Sequence, residues 1–155
     1  METGKPAPNF ALKDQDGKSH SLSNYNDKYL VIYFYPKDNT PGCTKESCTF
    51  RDNIEEFTNA NCSVLGVSAD SAASHEKFIA KHNLNFPLLV DDEKEMLEAY
   101  GAWGEKNNYG KKYMGIIRST AIIGPGGILL KHWKTVRGAE DHPIKVIEAL
   151  KELQA

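Results

Sequence analysis

The chain has 155 residues, enough for a single domain over residues 1–155 with its own hydrophobic core. Its formal net charge is −2, with 19 Lys and Arg against 21 Asp and Glu, and no basic stripe favours binding of nucleic acid. Three cysteines are too few for a secreted disulfide scaffold, and no apolar run reaches the length of a membrane span. The first residues lack the apolar segment of a signal peptide, so we expect a cytoplasmic protein that binds neither nucleic acid nor membrane.

The N-terminal third predicts a β-hairpin, a buried strand and a helix. Two short segments flank residues 14–17, where an Asp-Gly pair favours a tight turn. Residues 29–35 form an unbroken run of β-branched and aromatic side chains, which is typical of a strand covered on both faces. A Pro/Gly turn follows, and Phe50, Ile54 and Phe57 then recur with helical spacing and indicate one continuous helix.

The rest of the chain continues to alternate between strands and helices. The predicted elements are strand 63–68, helix 70–82, an extended segment 86–90, a short helix ending near residue 100, hairpin strands 119–123 and 128–133, and a closing helix from residue 141. Such alternation implies right-handed crossovers and a sheet with helices on both faces. The order resembles the thioredoxin fold, so we predict an α/β protein with a central mixed β-sheet flanked by helices and an N-terminal β-hairpin.

Cys43 is the main candidate for chemistry, because the Pro/Gly turn delivers its thiol to the first turn of a predicted helix. Unpaired amides and the helix dipole favour negative charge there, and therefore favour thiolate over thiol. A second thiol, Cys48, lies five residues further on and is available to an oxidised Cys43. The pattern indicates redox chemistry at sulfur.

A thiolate that is easily formed is also less nucleophilic, so a fast thiol enzyme must also stabilise charge on the leaving atom. Thr40, three residues before Cys43, offers a hydroxyl that donates and accepts hydrogen bonds. Arg118, just before a predicted strand, offers a permanent cation, and strand ends of a parallel sheet can meet although they are distant in sequence. Pro36 stiffens the loop and is placed to shield the thiolate from water.

Two motifs resemble a known family. The spacing Pro36-x-x-x-Thr40-x-x-Cys43 is similar to the peroxiredoxin active-site signature. Residues 103–120, with Trp-Gly-Glu-Lys, Tyr-Gly-Lys and Gly-Ile-Ile-Arg-Ser-Thr, resemble the bacterioferritin-comigratory-protein (PrxQ) branch of that family. The resemblance extends from about residue 5 to the C-terminal helix.

This resemblance implies a thiol peroxidase that needs no metal, haem, flavin or other cofactor. Cys43 would attack the O–O bond of hydrogen peroxide or an organic hydroperoxide and become a sulfenic acid. Thr40 and Arg118 would hold the peroxide oxygens and the thiolate, while Pro36 would shield the pocket. Glu46 matches an acidic position of the family and would orient Arg118.

The resemblance also implies that Cys48 resolves the sulfenic acid as an intramolecular disulfide, that thioredoxin or a similar dithiol reduces it, and that the protein is a monomer. Residues five apart on a straight helix have Cα atoms about 8.6 Å apart. A disulfide needs less than about 7 Å. We therefore predict that residues 41–49 unwind on oxidation.

Two other functions remain open from the residues alone. A thiol–disulfide oxidoreductase acting on proteins would normally carry a Cys-x-x-Cys pair, which the chain lacks. A redox sensor or holdase would use the same unwinding to change partners without sustained turnover.

Several residues also have plain structural interpretations. Cys48 would then be a buried structural thiol and Arg118 a surface salt-bridge partner, and Cys62 is expected to pack as a small apolar side chain. The cysteines and histidines lack the spacing of a zinc site, and the five scattered histidines are expected at the surface. Trp103 and Tyr109 are predicted in a loop before Arg118, either walling the pocket or packing elsewhere.

Overall fold

The computed structural model describes residues 1–155. Its strands are β1 (Ala11–Lys13), β2 (Ser19–Ser21), β3 (Tyr29–Phe34), β4 (Cys62–Ser68), β5 (Leu88–Val90), β6 (Trp103–Asn108), β7 (Lys111–Ile116), β8 (Ser119–Gly124) and β9 (Ile128–Trp133). Its helices are α1 (Pro41–Asp52), α2 (Ile54–Asn59), α3 (Ala72–His82), α4 (Glu95–Ala99) and α5 (His142–Gln154). No helix is both long enough and apolar enough to cross a membrane.

A five-stranded sheet with the order β5-β4-β3-β8-β9 forms the centre of the molecule. Strands β3, β4 and β5 are parallel, whereas β8 runs antiparallel to both of its neighbours. Strands β1 and β2 form a separate antiparallel hairpin near the N-terminus. The predicted α/β class, with a central mixed sheet and an N-terminal hairpin, is confirmed.

Strand β3 is buried on both faces, as its unbroken apolar run predicts. Alternate side chains enter two different cores, with Leu30, Ile32 and Phe34 on one face and Val31 and Tyr33 on the other. The first core is closed by α4 and the N-terminal segment, and the second by α1, α2, α3 and α5. Because both faces are covered, this strand is a rigid base for the loop that follows it.

The one long helix predicted after the Pro/Gly turn is wrong, because the structure divides it at Asn53 into α1 and α2. The side-chain amide of Asn53 donates to the carbonyl of Thr49 at 2.8 Å, and its backbone leaves the helical region at φ −115°. Asparagine side chains compete with the helix for backbone partners in this way. Phe50 and Phe57 still reach the same core on either side of the break.

The predicted loop before Arg118 is a second correction, since this segment forms the antiparallel hairpin β6–β7. Tyr109 and Gly110 turn the chain with φ of 53° and 83°. Positive φ at both central residues matches the twist of a two-residue hairpin. The strands themselves are polar and mostly exposed, so they lack the alternating apolar pattern by which a strand is recognised.

The end of β3 and the start of β8 lie side by side, because Phe34 pairs with Ser119 in an antiparallel register. Arg118 precedes β8 by one residue, so it sits beside the loop that connects β3 to α1. The expected contact between the ends of parallel strands is therefore wrong, because β3 and β8 are antiparallel. The sheet thereby positions two segments that are 75 residues apart in the chain.

Candidate active site

Cys43 lies in the first turn of α1. The helix begins at Pro41, where a missing N–H is no loss, and Thr40 precedes it with extended backbone at φ −90° and ψ 155°. The Thr44 N–H donates to the Thr40 carbonyl at 2.8 Å and closes the first turn. Cys43 is only 1% exposed. Its sulfur therefore lies away from solvent at the N-terminal end of the helix, whose unpaired amides form the positive end of the helix dipole.

Arg118 bridges this sulfur and a buried carboxyl group. Its Nη2 donates to Cys43 Sγ at 3.3 Å, and its Nη1 donates to Glu46 Oε1 at 2.7 Å. A Cβ atom added to Gly42 would lie 3.2 Å from Nη2, so the glycine leaves room for the guanidinium. The planar fork of arginine suits this double contact, which a lysine ammonium at one position cannot reproduce.

Glu46 is fully buried, and its Oε2 has no hydrogen-bond partner. Burial raises the pKa of Glu46 to about 7, although the charge of Arg118 and its hydrogen bond oppose the shift. Burial alone would lower the pKa of Arg118, but Glu46 and Cys43 outweigh it and the pKa is raised. The Arg118 guanidinium therefore stays charged. Protonation of Glu46 removes the negative charge that offsets the electrostatic effect of Arg118 on the Cys43 sulfur.

Thr40 and Pro36 belong to the loop that connects β3 to α1. The Thr40 hydroxyl donates to the Lys37 carbonyl at 2.9 Å, which leaves its oxygen lone pairs as acceptors. Pro36 and Arg118 line a cleft of about 590 Å³ together with Lys106 and six other residues. The cleft therefore borders the guanidinium that contacts Cys43, whereas Cys43 and Thr40 do not line it.

Cys48 is half-buried and lies on the same unbroken helix as Cys43. Both are free thiols, as is Cys62. The structure thus shows reduced cysteines on an intact helix, which is the state from which the predicted unwinding of residues 41–49 would start. Burial raises the pKa of Cys62 to about 12, in keeping with its predicted packing role.

Hairpin β6–β7 contributes residues that sequence reasoning missed. Lys106 lines the cleft, and its Nζ donates to the Ile116 carbonyl at 2.9 Å. Its pKa is lowered by burial and by repulsion from Arg118, with Cys43 acting in the opposite sense. The hairpin carries three aromatic residues, and none of them lines the cleft. Trp103 packs against the core, whereas Tyr109 and Tyr113 are exposed. The predicted loop is wrong for Trp103, which lies in β6, whereas Tyr109 does lie in the connection between β6 and β7.

The expectation that the histidines lie at the surface is wrong for His20, His75 and His142, which are buried. Each has a polar partner: Asp14 lies 2.7 Å from His20, Asp38 lies 2.7 Å from His75, and the Thr120 hydroxyl lies 2.9 Å from His142. Burial lowers the pKa of His142 to about 4. Of these pairings, only that of His20 with Asp14 could be inferred from local sequence, because the two residues are six apart on the N-terminal hairpin.

A buried thiol at a helix start, paired with an arginine on a thioredoxin-like sheet, defines the class of thiol-dependent oxidoreductases. The model of the AhpC/TSA family matches residues 3–132. The chain therefore belongs to the AhpC/TSA family, in its bacterioferritin-comigratory-protein (PrxQ) peroxiredoxin branch. It is a thiol-dependent peroxidase that acts on peroxide and is recycled by a thiol reductant.

The relatives cover nearly the whole chain. Peroxiredoxin Bcp of Bacillus subtilis is 48% identical over 153 residues, which is 99% of this chain and 97% of the relative. Peroxiredoxin Bcp of Escherichia coli is 38% identical over 152 residues, covering 98% and 97%. Among solved structures, Xanthomonas campestris bacterioferritin comigratory protein has a TM-score of 0.92 at 37% identity, covering 99% of this chain and 100% of that one. Xylella fastidiosa PrxQ has a TM-score of 0.94 at 36% identity, covering 100% and 98%. The predicted fold and family are confirmed.

Proposed function

We propose that Cys43 is the nucleophile that attacks the hydroperoxide. The Cys43 thiolate attacks the terminal O–H oxygen of the hydroperoxide, and the sulfur becomes a sulfenic acid. The O–O bond breaks, and the second oxygen leaves as alkoxide or hydroxide and takes up a proton. The observation behind this proposal is the Arg118 contact at 3.3 Å from Cys43 Sγ. One fixed cation can stabilise the thiolate and then the charge that moves to the leaving oxygen.

The residues around Cys43 have separate roles in the reaction with peroxide: Thr40, Arg118, Pro36 and Glu46. The Thr40 oxygen accepts a hydrogen bond from the peroxide O–H, since its own proton is engaged with the Lys37 carbonyl. Pro36 limits access of water from the cleft. Glu46 holds the guanidinium in place and does not touch the substrate.

Cys48 resolves the sulfenic acid in the second step. Its sulfur attacks the sulfur of Cys43, one water leaves, and an intramolecular disulfide forms. The intact helix keeps the two residues too far apart, so residues 41–49 must unwind first. A dithiol protein of the thioredoxin type then reduces the disulfide by exchange and becomes oxidised itself.

The substrates include hydrogen peroxide and small organic hydroperoxides. Support comes from the open cleft and from Xanthomonas campestris bacterioferritin comigratory protein, whose structure was described with alkyl peroxide reduction activity. We further propose a cytoplasmic monomer of one domain. Equilibrium sedimentation at micromolar concentration tests the monomer, and a concentration-dependent mass would overturn it.

Turnover with a complete reducing system tests the reductant and the reaction together. With thioredoxin, its reductase and NADPH, the wild-type protein should consume peroxide catalytically, whereas Cys43→Ser should not. Cys62→Ala is the matched control and should keep full turnover. Reduction of insulin disulfides without peroxide turnover would instead favour the thiol–disulfide oxidoreductase.

A further inference from the structure

A second group of buried polar side chains lies beside the loop that leads to Cys43. Asp38 is 7% exposed and His75 is fully buried. The Tyr35 hydroxyl donates to Asp38 Oδ1 at 2.5 Å, and the Ser74 hydroxyl donates to Oδ2 at 2.8 Å. His75 Nδ1 lies 2.7 Å from the same Oδ2. No step of the proposed mechanism uses these groups.

The hydrogen-bond geometry fixes where the protons are. His75 Nε2 is 2.9 Å from the Leu89 carbonyl, which can only accept, so Nε2 carries a proton. A proton must also lie between Nδ1 and Asp38 Oδ2 at 2.7 Å. Asp38 also accepts from two hydroxyls, so three donors meet at one buried carboxyl group. His75 and Asp38 thus form a buried, hydrogen-bonded pair.

The pair ties the loop before α1 to two other elements. The Asp38 backbone N–H donates to Asp70 Oδ2 at 2.8 Å, and that carboxylate also accepts from the Ser68 hydroxyl at the end of β4 at 2.7 Å. His75 belongs to α3. The next residue, Asn39, has a left-handed φ of 61°, and α1 begins two residues later. Asp38 therefore fixes the chain to the scaffold close to the start of α1, and beyond it Asn39 Oδ1 makes a longer, exposed contact of 3.4 Å with His82 Nε2 of α3.

We propose that Asp38 and His75 are positioning residues that set how readily α1 opens, and therefore how fast Cys48 reaches the oxidised Cys43. This inference rests on the proposed function. If the contacts break when residues 41–49 unwind, the open state loses buried hydrogen bonds. If they hold, the freed segment stays pinned at one end and gains less conformational entropy. In both cases the pair favours the closed helix.

The pair is therefore expected to affect the rate of disulfide formation much more than the rate of Cys43 oxidation. Loss of the pair should raise the open fraction of α1 by about tenfold, which corresponds to about 1.4 kcal/mol. While the closed helix still predominates, Cys43 oxidation changes little, but disulfide formation speeds up in proportion to the open fraction. The sulfenic acid then has less time to meet a second peroxide, so overoxidation becomes harder.

The protein offers matched variants for the test. His75→Gln keeps an amide near the Nε2 position but loses the donor to Asp38, whereas His75→Asn keeps an amide near the Nδ1 position. The control is His20→Gln, because His20 forms a similar buried pair with Asp14 at 2.7 Å and contacts the Tyr25 hydroxyl, remote from α1. Ser74→Ala removes a single donor to Asp38 and serves as the milder variant if His75→Gln fails to fold.

Rapid-quench intact mass over a series of hydrogen peroxide concentrations measures all three quantities. Thiol loss at Cys43 reports the first step, a loss of about 2 Da reports the disulfide, and a gain of about 32 Da reports the sulfinic acid. For His75→Gln we expect the peroxide concentration that half-overoxidises the protein to rise about tenfold, with the first step within about twofold of wild type. Ser74→Ala should move the same way by about threefold, and His20→Gln should stay near wild type. His75→Asn should lie between wild type and His75→Gln, because it keeps only the donor to Asp38.

The inference is overturned if His75→Gln and His20→Gln behave alike, or if His75→Gln slows the first step in parallel with the second. A wild-type protein that forms no disulfide would instead refute the proposed function, whatever the variants do.

Discussion

Replacement of Arg118 by methionine removes the group that joins the thiol to the buried carboxyl. Unit charges separated by 3.3 Å, the distance from Nη2 to Cys43 Sγ, attract by about 5 kcal/mol at an effective dielectric constant of about 20. Only the part of this attraction that increases in the transition state affects the rate. Charged hydrogen bonds measured by mutation suggest about 3 kcal/mol for that part, so kcat/KM for peroxide should fall on the order of 100-fold.

The same substitution affects stability in a different way. Breaking a buried ion pair commonly costs about 3–5 kcal/mol, because a bare charge remains. Glu46 can avoid this by binding a proton, since burial already raises its pKa to about 7. We therefore expect Arg118→Met to lower the free energy of unfolding at pH 7 by only about 1–3 kcal/mol. Adding Glu46→Gln should restore most of this stability and none of the rate.

Competition kinetics with a haem peroxidase gives kcat/KM, and urea unfolding gives stability. Arg118→Lys should fall between wild type and Arg118→Met in rate, because one ammonium cannot contact both Cys43 and Glu46. If Arg118→Met reacts within about threefold of wild type, Arg118 does not stabilise the transition state, since a charge-assisted contact to the reacting sulfur is expected to be worth far more. Recovery of the rate in the double variant would lead to the same conclusion.

Three further predictions concern stability and the third cysteine. Burial raises the pKa of Glu46 from its ordinary value of 4.5 to about 7, so between these pH values the folded protein binds a proton that the unfolded chain releases. The stabilisation that this proton provides is present at low pH and is lost as the pH rises through about 7. Urea unfolding should show the stability of wild type relative to Glu46→Gln falling by up to about 3 kcal/mol from about pH 5 to about pH 8, and a constant difference would contradict this. Cys62→Ala should leave peroxidase turnover unchanged in a thioredoxin-coupled assay, because burial keeps the Cys62 thiol protonated; loss of turnover would give Cys62 a chemical role. Gly66→Ala would place a Cβ atom 2.6 Å from Leu88 Cδ2 and 3.0 Å from the Tyr33 ring, so the thermal midpoint should fall by an amount equivalent to about 1–3 kcal/mol; an unchanged midpoint would show that β4 shifts freely.

The sequence predicted those parts of the fold that depend on local pattern. The unbroken apolar run of β3 and the Pro/Gly turn before Cys43 were sufficient, because a strand buried on both faces and a helix start each have a local signature. Hairpin β6–β7 has no such signature, because its strands are polar and mostly exposed. Its turn at Tyr109 and Gly110 was the only available signal.

Candidate site residues could be named from the sequence, but the contacts among them could not be predicted. The motif that contains Cys43 and Thr40 is short and local. The contact with Arg118 spans 75 residues and depends on the antiparallel register of β3 and β8. The pair of Asp38 and His75 spans 37 residues, and nothing near either residue indicates that both are buried. Burial of paired polar groups is a tertiary property, so composition and spacing do not reveal it.

The proposed mechanism requires that Cys43 attacks peroxide and that Cys48 resolves the product. Intact mass of the reduced protein, measured seconds after one equivalent of hydrogen peroxide, tests both steps directly for wild type and Cys48→Ser. We predict a loss of about 2 Da in wild type and a gain of about 16 Da, located at Cys43, in the variant. An unchanged mass in both proteins would contradict attack by Cys43. A loss of about 2 Da that persists in Cys48→Ser would contradict resolution by Cys48.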